Sequence, residues 1–286
     1  MPDSFATRVI AARNTRDDTL DLMDCSFGLG GQTEDLSDLE FIRSVEVGGK
    51  SLETFPRQIL MLSHLESLAI CGSMLRELPD LSDLKNLTQL IIIRNKEMSQ
   101  LSSGFRGLDK VVLLSCTNNS FSTASPLLFA CHSARRAVFD GNNISEFGLY
   151  DESFNSIMEL SLAENLLDSI PKTVLMMSGL RHLNLRDNQI ERLPNDIGEL
   201  RNLLWLSLAG NRLCELGDCI VECEKLMGLE IQGNLFSELP PNLYKLPQLR
   251  ELKLSSDSGI TAAEVKKFEV NYQTSDGSPI EFVEFV

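Results

Sequence analysis

A repeat of fixed period constrains this chain more than any other feature of its sequence. Four copies read leucine or isoleucine, two variable residues, leucine, one variable residue, leucine or isoleucine, two variable residues and asparagine. The closing asparagines are 23 residues apart (188 minus 165, 211 minus 188, 234 minus 211). A period of this length is typical of a solenoid, in which every turn buries its apolar side chains against its neighbours. The four copies end at Asn165, Asn188, Asn211 and Asn234.

The alternation inside each copy predicts a short strand followed by a turn. In the second copy Leu183 and Leu185 point inward and Asn184 points outward, because side chains alternate along a strand. The closing asparagine can bond the backbone groups of the turn that follows. A Leu-Pro pair comes next in several copies, as at Leu193 and Pro194, and proline ends strand pairing there. We therefore expect parallel strands with a row of stacked asparagines.

The same frame extends less regularly toward both ends of the chain. Seven further turns keep most apolar positions, but only two of them, at Asn95 and Asn142, keep the asparagine. The interval between Cys116 and Asn142 is 26 residues (142 minus 116), and the turn at Lys50 is expected to be irregular. The frame then has eleven turns. The seven additional ones end at Cys25, Lys50, Ser73, Asn95, Cys116, Asn142 and Asp257.

Because of these repeated motifs, the chain resembles the leucine-rich repeat family over nearly its entire length. The 23-residue period with Leu-Pro is similar to intracellular repeats of the Ras-suppressor and Scribble type. The resemblance implies an α/β solenoid, a horseshoe of about eleven repeats with a parallel concave sheet and short helical or irregular convex segments. It also implies a non-enzymatic module that binds a protein partner on the concave face.

Both ends of the repeat array are expected to be closed by capping segments, because the terminal turns of a solenoid lack one neighbour. Near the N-terminus, Phe5, Val9 and Ala12 recur at helical spacing. Near the C-terminus, Thr261 and Glu264 form a capping box that opens a short helix. The expected organisation is a capping helix, the repeats and a C-terminal cap: 1–16, 17–257 and 258–286.

Charge and cysteine usage limit the classes of partner and compartment. The formal net charge of −15 repels phosphate backbones, so we expect no nucleic acid; it favours a basic protein partner or serves solubility alone. No apolar run approaches the roughly 18 residues that a membrane span requires. The seven cysteines are an odd number without paired end-caps, which favours a reducing, cytoplasmic location. Three glycosylation triplets oppose this weakly: Asn86, Asn118 and Asn143.

The sequence contains no convincing catalytic, cofactor or metal site. The glycine-rich segment 28–33 has a threonine where a dinucleotide fingerprint needs its third glycine, and it has no phosphate-binding lysine. Cys131 and His132 are adjacent, so on a helical segment their side chains do not face each other. We therefore expect no enzyme activity, no cofactor and no bound metal. Three late cysteines also lack the zinc spacing: Cys214, Cys219 and Cys223.

The best candidate for a binding site is an apolar island among the outward positions of the predicted sheet. Apolar patches with a polar rim mark interaction sites more often than they arise by chance. Three alternatives are open for what covers the island: a heterologous partner, a second copy of the chain or a local loop. The strand register is also weakly specified there, because the segments are apolar on both faces. The island comprises Ala69, Cys71, Ile91, Ile93, Val112, Leu114 and Val138, with Arg94, Lys110 and Arg136 at its margin.

A second candidate surrounds the only tryptophan of the chain. An outward tryptophan is a typical hot spot of protein interfaces, although packing against its neighbours explains it equally well. This secondary site comprises Glu159, His182, Arg186 and Trp205.

Three functions fit these expectations. The leading one is a cytoplasmic signalling scaffold that binds a protein partner. The second is the substrate-recognition subunit of a separate enzyme, in a ligase or kinase pathway. The third is a ligand-sensing immune or effector protein.

Overall fold

The computed structural model describes most of the chain, as twelve β-strands with short α- and 3-10 helices between them. The chain divides into two compact units, Met1–Asn143 and Ile144–Val286. The described residues are 4–26, 34–99, 107–149, 151–255 and 259–285. The glycine-rich segment 28–33 and Asp257, two positions interpreted above, lie outside them.

In the first unit six strands pair in parallel and in chain order. They are β1 (Thr19–Met23), β2 (Ser44–Gly48), β3 (Ser67–Cys71), β4 (Gln89–Ile93), β5 (Leu113–Ser115) and β6 (Arg136–Val138). Its helices are α1 (Phe5–Thr15), α2 (Ser125–Ala130) and a 3-10 helix (Arg57–Met61).

Helix α1 begins at a residue suited to that position. The Ser4 hydroxyl caps the first turn by accepting a hydrogen bond from the Thr7 amide at 3.2 Å. Three side chains one or two turns apart, Phe5, Val9 and Ala12, are buried on the face toward β1. The helix therefore covers the edge of the first strand.

In the second unit the six strands also pair in parallel and in chain order. They are β7 (Glu159–Ser161), β8 (His182–Asn184), β9 (Trp205–Ser207), β10 (Gly228–Glu230), β11 (Glu251–Leu254) and β12 (Phe282–Phe285). Its α-helices are α3 (Lys172–Leu175) and α4 (Ala262–Asn271). Its 3-10 helices are Glu152–Ser156, Asn195–Glu199, Asp218–Glu222 and Pro241–Lys245.

The predicted capping box is confirmed at the start of α4. The Thr261 hydroxyl accepts from the Glu264 amide at 3.3 Å, and the Glu264 carboxylate accepts from the Thr261 amide at 2.8 Å. Val265 and Phe268 are buried on the inner face of this helix. The last strand, β12, then pairs with β11 and adds one strand beyond the last repeat.

Each closing asparagine joins two successive turns of the chain. The Asn188 amide donates to the carbonyls of Leu162 at 2.9 Å, Leu185 at 3.0 Å and Arg186 at 3.2 Å. Its Oδ1 accepts from the backbone amide of Leu167 at 3.0 Å. The side chain is buried, so these bonds satisfy backbone groups that water does not reach. The predicted stack of asparagines is confirmed here.

In the first unit the position assigned to Cys116 is wrong by three residues. The asparagine that bonds the turn is Asn119, whose Nδ2 donates to the Ile92 carbonyl at 2.8 Å and whose Oδ1 accepts from the Asn95 amide at 2.9 Å. Cys116 instead directly follows β5 at a buried position, and its carbonyl accepts a hydrogen bond from the Asn142 side-chain amide at 2.7 Å. The intervals become 24 residues (119 minus 95) and 23 residues (142 minus 119), and the 26-residue interval disappears.

The correction exchanges the inward and outward faces of β5. Leu114 pairs with Leu90 and Ala137, which point inward, and its side chain is completely buried. Leu113, expected inside, lies on the outward face together with Ser115. The run of four apolar residues 111–114 fits either register, because alternation alone cannot distinguish the two.

The turns at Ser73 and Lys50 keep the positions predicted for them, although neither contains an asparagine. Ser73 replaces an asparagine, is buried, and donates its amide to Asn95 Oδ1 at 2.9 Å. Lys50 lies exposed in a turn after Gly49, whose φ of 104° belongs to the left-handed region. A buried asparagine is therefore absent from that turn, which follows the second strand.

Candidate protein-binding surfaces

The outward face of the first unit's sheet bears a row of apolar side chains. In the register of the sheet Ala69 pairs with Ile91, and Cys71 pairs with Ile93. On the next two strands Leu113 and Val138 occupy diagonal positions on the same face. We define these residues as the apolar patch: Ala69, Cys71, Ile91, Ile93, Leu113 and Val138.

The apolar patch lacks two residues of the island predicted from the sequence and contains one residue that the island did not. Leu114 belongs to the core, so its assignment to the island is wrong. Val112 is 42% exposed but precedes β5, where its amide bonds the Thr88 carbonyl at the entry to the strand. Ser115 stands in the row between Ile91 and Val138. The patch is therefore smaller and less continuous than the island, and Leu113 replaces Leu114.

The three basic residues assigned to the margin occupy separate places. Arg136 pairs with Leu113 in the sheet and is exposed beside the patch. Arg94 is exposed in a turn directly after Ile93 and has a φ of 59°. Lys110 lies before the strand and donates to Asn86 Oδ1 at 2.7 Å. Arg94 and Arg136 therefore border the apolar patch.

The second candidate site lies on the outward face of the second unit. Glu159, His182 and Trp205 occupy matching positions on three adjacent strands, as the sequence predicts. Gly228 is the next residue in this row. A Cβ placed on Gly228 would lie 2.1, 2.3 and 2.6 Å from three six-membered-ring atoms of Trp205. This set of distances places the indole face against the backbone of Gly228.

Arg186 does not join that row. Its Nε donates to Asp187 at 2.9 Å, and this hydrogen bond raises the pKa of the guanidinium. The secondary site therefore reduces to Glu159, His182 and Trp205, and the indole ring packs on Gly228. The sequence indicated Trp205, but no pattern within a single repeat marked Gly228 as its neighbour.

An ion-paired network that no sequence motif indicated lies beside the tryptophan row. Glu230 accepts from the Ser207 hydroxyl at 2.7 Å and from Lys253 at 2.8 Å, and Lys253 lies 3.7 Å from Glu284. Burial raises the pKa of Glu230, but the hydrogen bonds from Lys253 and Ser207 outweigh burial and the pKa lies below its ordinary value. Glu230 therefore stays ionised on the outward face.

The cysteines and histidines form no catalytic arrangement that the geometry supports. Burial raises the pKa of the Cys131 thiol to about 12, so it is protonated at neutral pH. The adjacent His132 is exposed, and its Nδ1 lies 3.3 Å from Asp109 Oδ1. Within the described ranges, no three histidines, cysteines or carboxylates cluster as metal ligands.

All seven cysteines are free thiols, and their exposure predicts their reactivity. With a thiol reagent at neutral pH the exposed Cys214 should react first and the half-buried Cys71 and Cys219 more slowly. The other four should react only on unfolding, since burial disfavours the thiolate. The melting temperature should be equal with and without reductant. Fewer than seven thiols in the denatured, unreduced protein would contradict this prediction.

A cleft of about 720 Å³ lies in the first unit, away from the apolar patch. Phe55, Met74 and Pro79 line it together with charged side chains of both signs, including Arg57 and Glu77. The residues that line it include no histidine and no cysteine that could serve in acid–base or nucleophilic chemistry. It was not anticipated from the sequence.

No helix in the described parts of the chain is both long and apolar enough to cross a membrane.

Parallel strands that recur about every 23 residues, a bonded asparagine in most turns and short helices between strands define a leucine-rich repeat solenoid. Residues 151–269 match the family model of a leucine-rich repeat region. The chain has the fold of leucine-rich repeat proteins, a class whose repeats typically serve as scaffolds for protein–protein interaction. Curated protein sequences gave no significant match.

Solved structures agree with this fold. An internalin (inlF) from Listeria monocytogenes is 18% identical with a TM-score of 0.63, over 88% of this chain and 71% of that chain. The functional domain of InlJ from Listeria monocytogenes, which includes a cysteine ladder, is 19% identical with a TM-score of 0.60 over 87% of this chain. The ectodomain of the Arabidopsis thaliana receptor kinase GASSHO1/SCHENGEN3 is 19% identical with a TM-score of 0.51 over 77%. This chain spans 55% and 31% of the latter two.

Proposed function

We propose that the chain is a non-enzymatic module that binds a protein partner on the outward face of its first sheet, the face expected to be concave. The observation that supports this is the apolar patch. Five of its six side chains are half-buried on a solvent-facing sheet surface, which is an unusual place for isoleucine, leucine and valine. Removing such side chains from water is the main driving force of association.

The border of the apolar patch suits a protein interface. Arg94 and Arg136 provide charge-assisted donors beside an apolar centre, and interfaces commonly have an apolar core with a polar rim. Ser115 and Gln89 lie between and beside the apolar side chains, so the partner must also satisfy polar groups. This mixture favours a folded protein or an extended peptide over a lipid.

A double variant tests the patch. Ile91→Arg with Leu113→Glu places two charges on the outward face without changing net charge. We expect partner binding to weaken by about 2 kcal/mol or more, because an interface centre tolerates uncompensated charge poorly. The measurement is capture of partners from a native lysate by wild type and variant, followed by titration of the captured protein.

The matched control is Ser44→Arg with Ser67→Glu. Both serines lie on the outward face of the same sheet at half-buried positions that border the patch without belonging to it. The control should bind as wild type does, and both double variants should melt within a few degrees of it. Equal binding by the patch variant and wild type would rule out the patch as the partner site.

A homodimer through the patch is the second outcome of the same experiment. In that case the patch variant changes the mass in solution, measured by light scattering, and captures the same proteins as wild type. The free thiols favour a reducing, cytoplasmic location, which the thiol count described above tests. A recognition subunit of a separate enzyme and a ligand-sensing effector are narrower forms of the same binding role.

A further inference from the structure

The tryptophan row of the second unit has a definite shape and charge. One face of the Trp205 indole lies against Gly228, which has no side chain to displace it. The indole therefore extends over β10 toward Glu251, the next residue in the row. Trp205 is half-buried, so part of the ring remains open to a ligand.

The side chains around the indole are predominantly acidic. At the two outward positions per strand nearest the ring, four carboxylates oppose one ammonium group. The ammonium group of Lys253 is already held by Glu230 and Glu284. The four carboxylates are Glu159, Glu230, Glu251 and Glu284.

Glu251 differs from Glu230 and Glu284 in having no direct partner, although Lys253 attracts it electrostatically from a greater distance. Within the described residues its carboxylate accepts no hydrogen bond and forms no salt bridge, whereas Glu230 and Glu284 are bound to Lys253. An aromatic face with an unpaired carboxylate at its far edge is the arrangement that recognises a cation. A guanidinium suits it best, because it stacks flat on an indole and offers a planar fork of N–H donors to a carboxylate.

We propose that Trp205, Gly228 and Glu251 form a receptor for an arginine side chain of a basic protein partner. The guanidinium stacks on the open face of the indole and donates to Glu251. Glu159, two strands away on the other side, extends the acidic field toward the next basic residue of the partner. This inference rests on the proposed function in that it names the chemistry of one partner contact. It concerns a different unit from the apolar patch.

Synthetic peptides test the receptor without knowledge of the partner. The probes are a Gly-Ser peptide with four arginines, the same peptide with four lysines and the same peptide with four citrullines, which keep the shape of arginine without its charge. Trp205 is the only tryptophan, so its fluorescence reports on the site directly. We expect a saturable change with the arginine peptide, a weaker one with lysine and none with citrulline.

Three variants locate the response. Trp205→Leu should lower the affinity for the arginine peptide by about tenfold, measured by calorimetry, because it removes the stacking surface. Gly228→Val should displace the indole, shift its emission to longer wavelength and weaken binding. Glu251→Gln changes only a surface carboxylate, should leave the fold intact and should weaken binding several-fold.

The matched control for Glu251→Gln is Glu224→Gln, which removes one exposed negative charge elsewhere in the same unit. It should leave affinity unchanged. An equal loss in both variants would mean that the peptide responds to net charge alone, and unchanged fluorescence with every peptide would also overturn the receptor. The variant of the apolar patch should bind the arginine peptide as wild type does. If the arginine receptor fails this test, the apolar patch still stands as the proposed partner site. If the apolar patch fails its own test, the arginine receptor is not affected.

Discussion

Leu114→Glu should prevent stable folding, whereas Leu113→Glu should be tolerated. Leu114 is completely buried between inward residues of the neighbouring strands, so a carboxyl there has neither water nor a partner. We expect a loss of about 4 kcal/mol or more in the free energy of unfolding. Leu113 lies on the outward face next to Arg136, and its replacement should change stability by less than about 1 kcal/mol. Denaturant unfolding of both variants measures the difference.

The two neighbouring substitutions are chemically identical, so their difference reports only on the direction of the side chains. If Leu113→Glu were the more harmful variant, the register inferred from alternation alone would be correct and the apolar patch would have to be redrawn. Similar losses in both would indicate that β5 is covered on both faces, which would remove the patch from consideration as a binding surface.

Asn188→Ala should be among the most harmful substitutions of a polar residue in the second unit. It leaves the carbonyls of Leu162 and Leu185 without their donor and the amide of Leu167 without its acceptor, all in a buried turn. Each unpaired buried group costs about 1–3 kcal/mol, so we expect a total loss of about 3 kcal/mol or more. Thermal and denaturant unfolding measure it.

The control is Asn184→Ala in the same repeat. Asn184 lies half-buried on the outward face and bonds Ser161 at 3.0 Å, so its loss should cost less than about 1 kcal/mol. Asn142→Ala should match Asn188→Ala, because Asn142 makes the corresponding bonds to Cys116 at 2.7 Å, Phe139 at 2.8 Å and Phe121 at 3.1 Å. A clearly smaller loss at Asn142 would show that this part of the asparagine row is weaker than its geometry indicates.

The candidate sites were only partly predictable from the sequence. Ile91 and Ile93 were identified correctly as outward, because their strand lies in a repeat that ends with a clear asparagine. Trp205 was placed correctly beside His182 for the same reason. The packing of the indole on Gly228 could not be predicted. Gly228 lies one repeat further along, and nothing within its own repeat indicates that an aromatic ring packs on it.

The sequence by itself determined the leucine-rich repeat fold, the inward leucines of the regular repeats and the capping box at Thr261. These features depend on short local patterns. Because the same pattern recurs several times at a spacing of 23 residues, it does not arise by chance. Tertiary structure alone decided the register of residues 111–119. Four successive apolar residues satisfy both alternations, and the choice depends on Asn119 reaching the Ile92 carbonyl and the Asn95 amide of the preceding turn. Such bonds join residues 24 to 27 positions apart, so they form only once the turns are stacked.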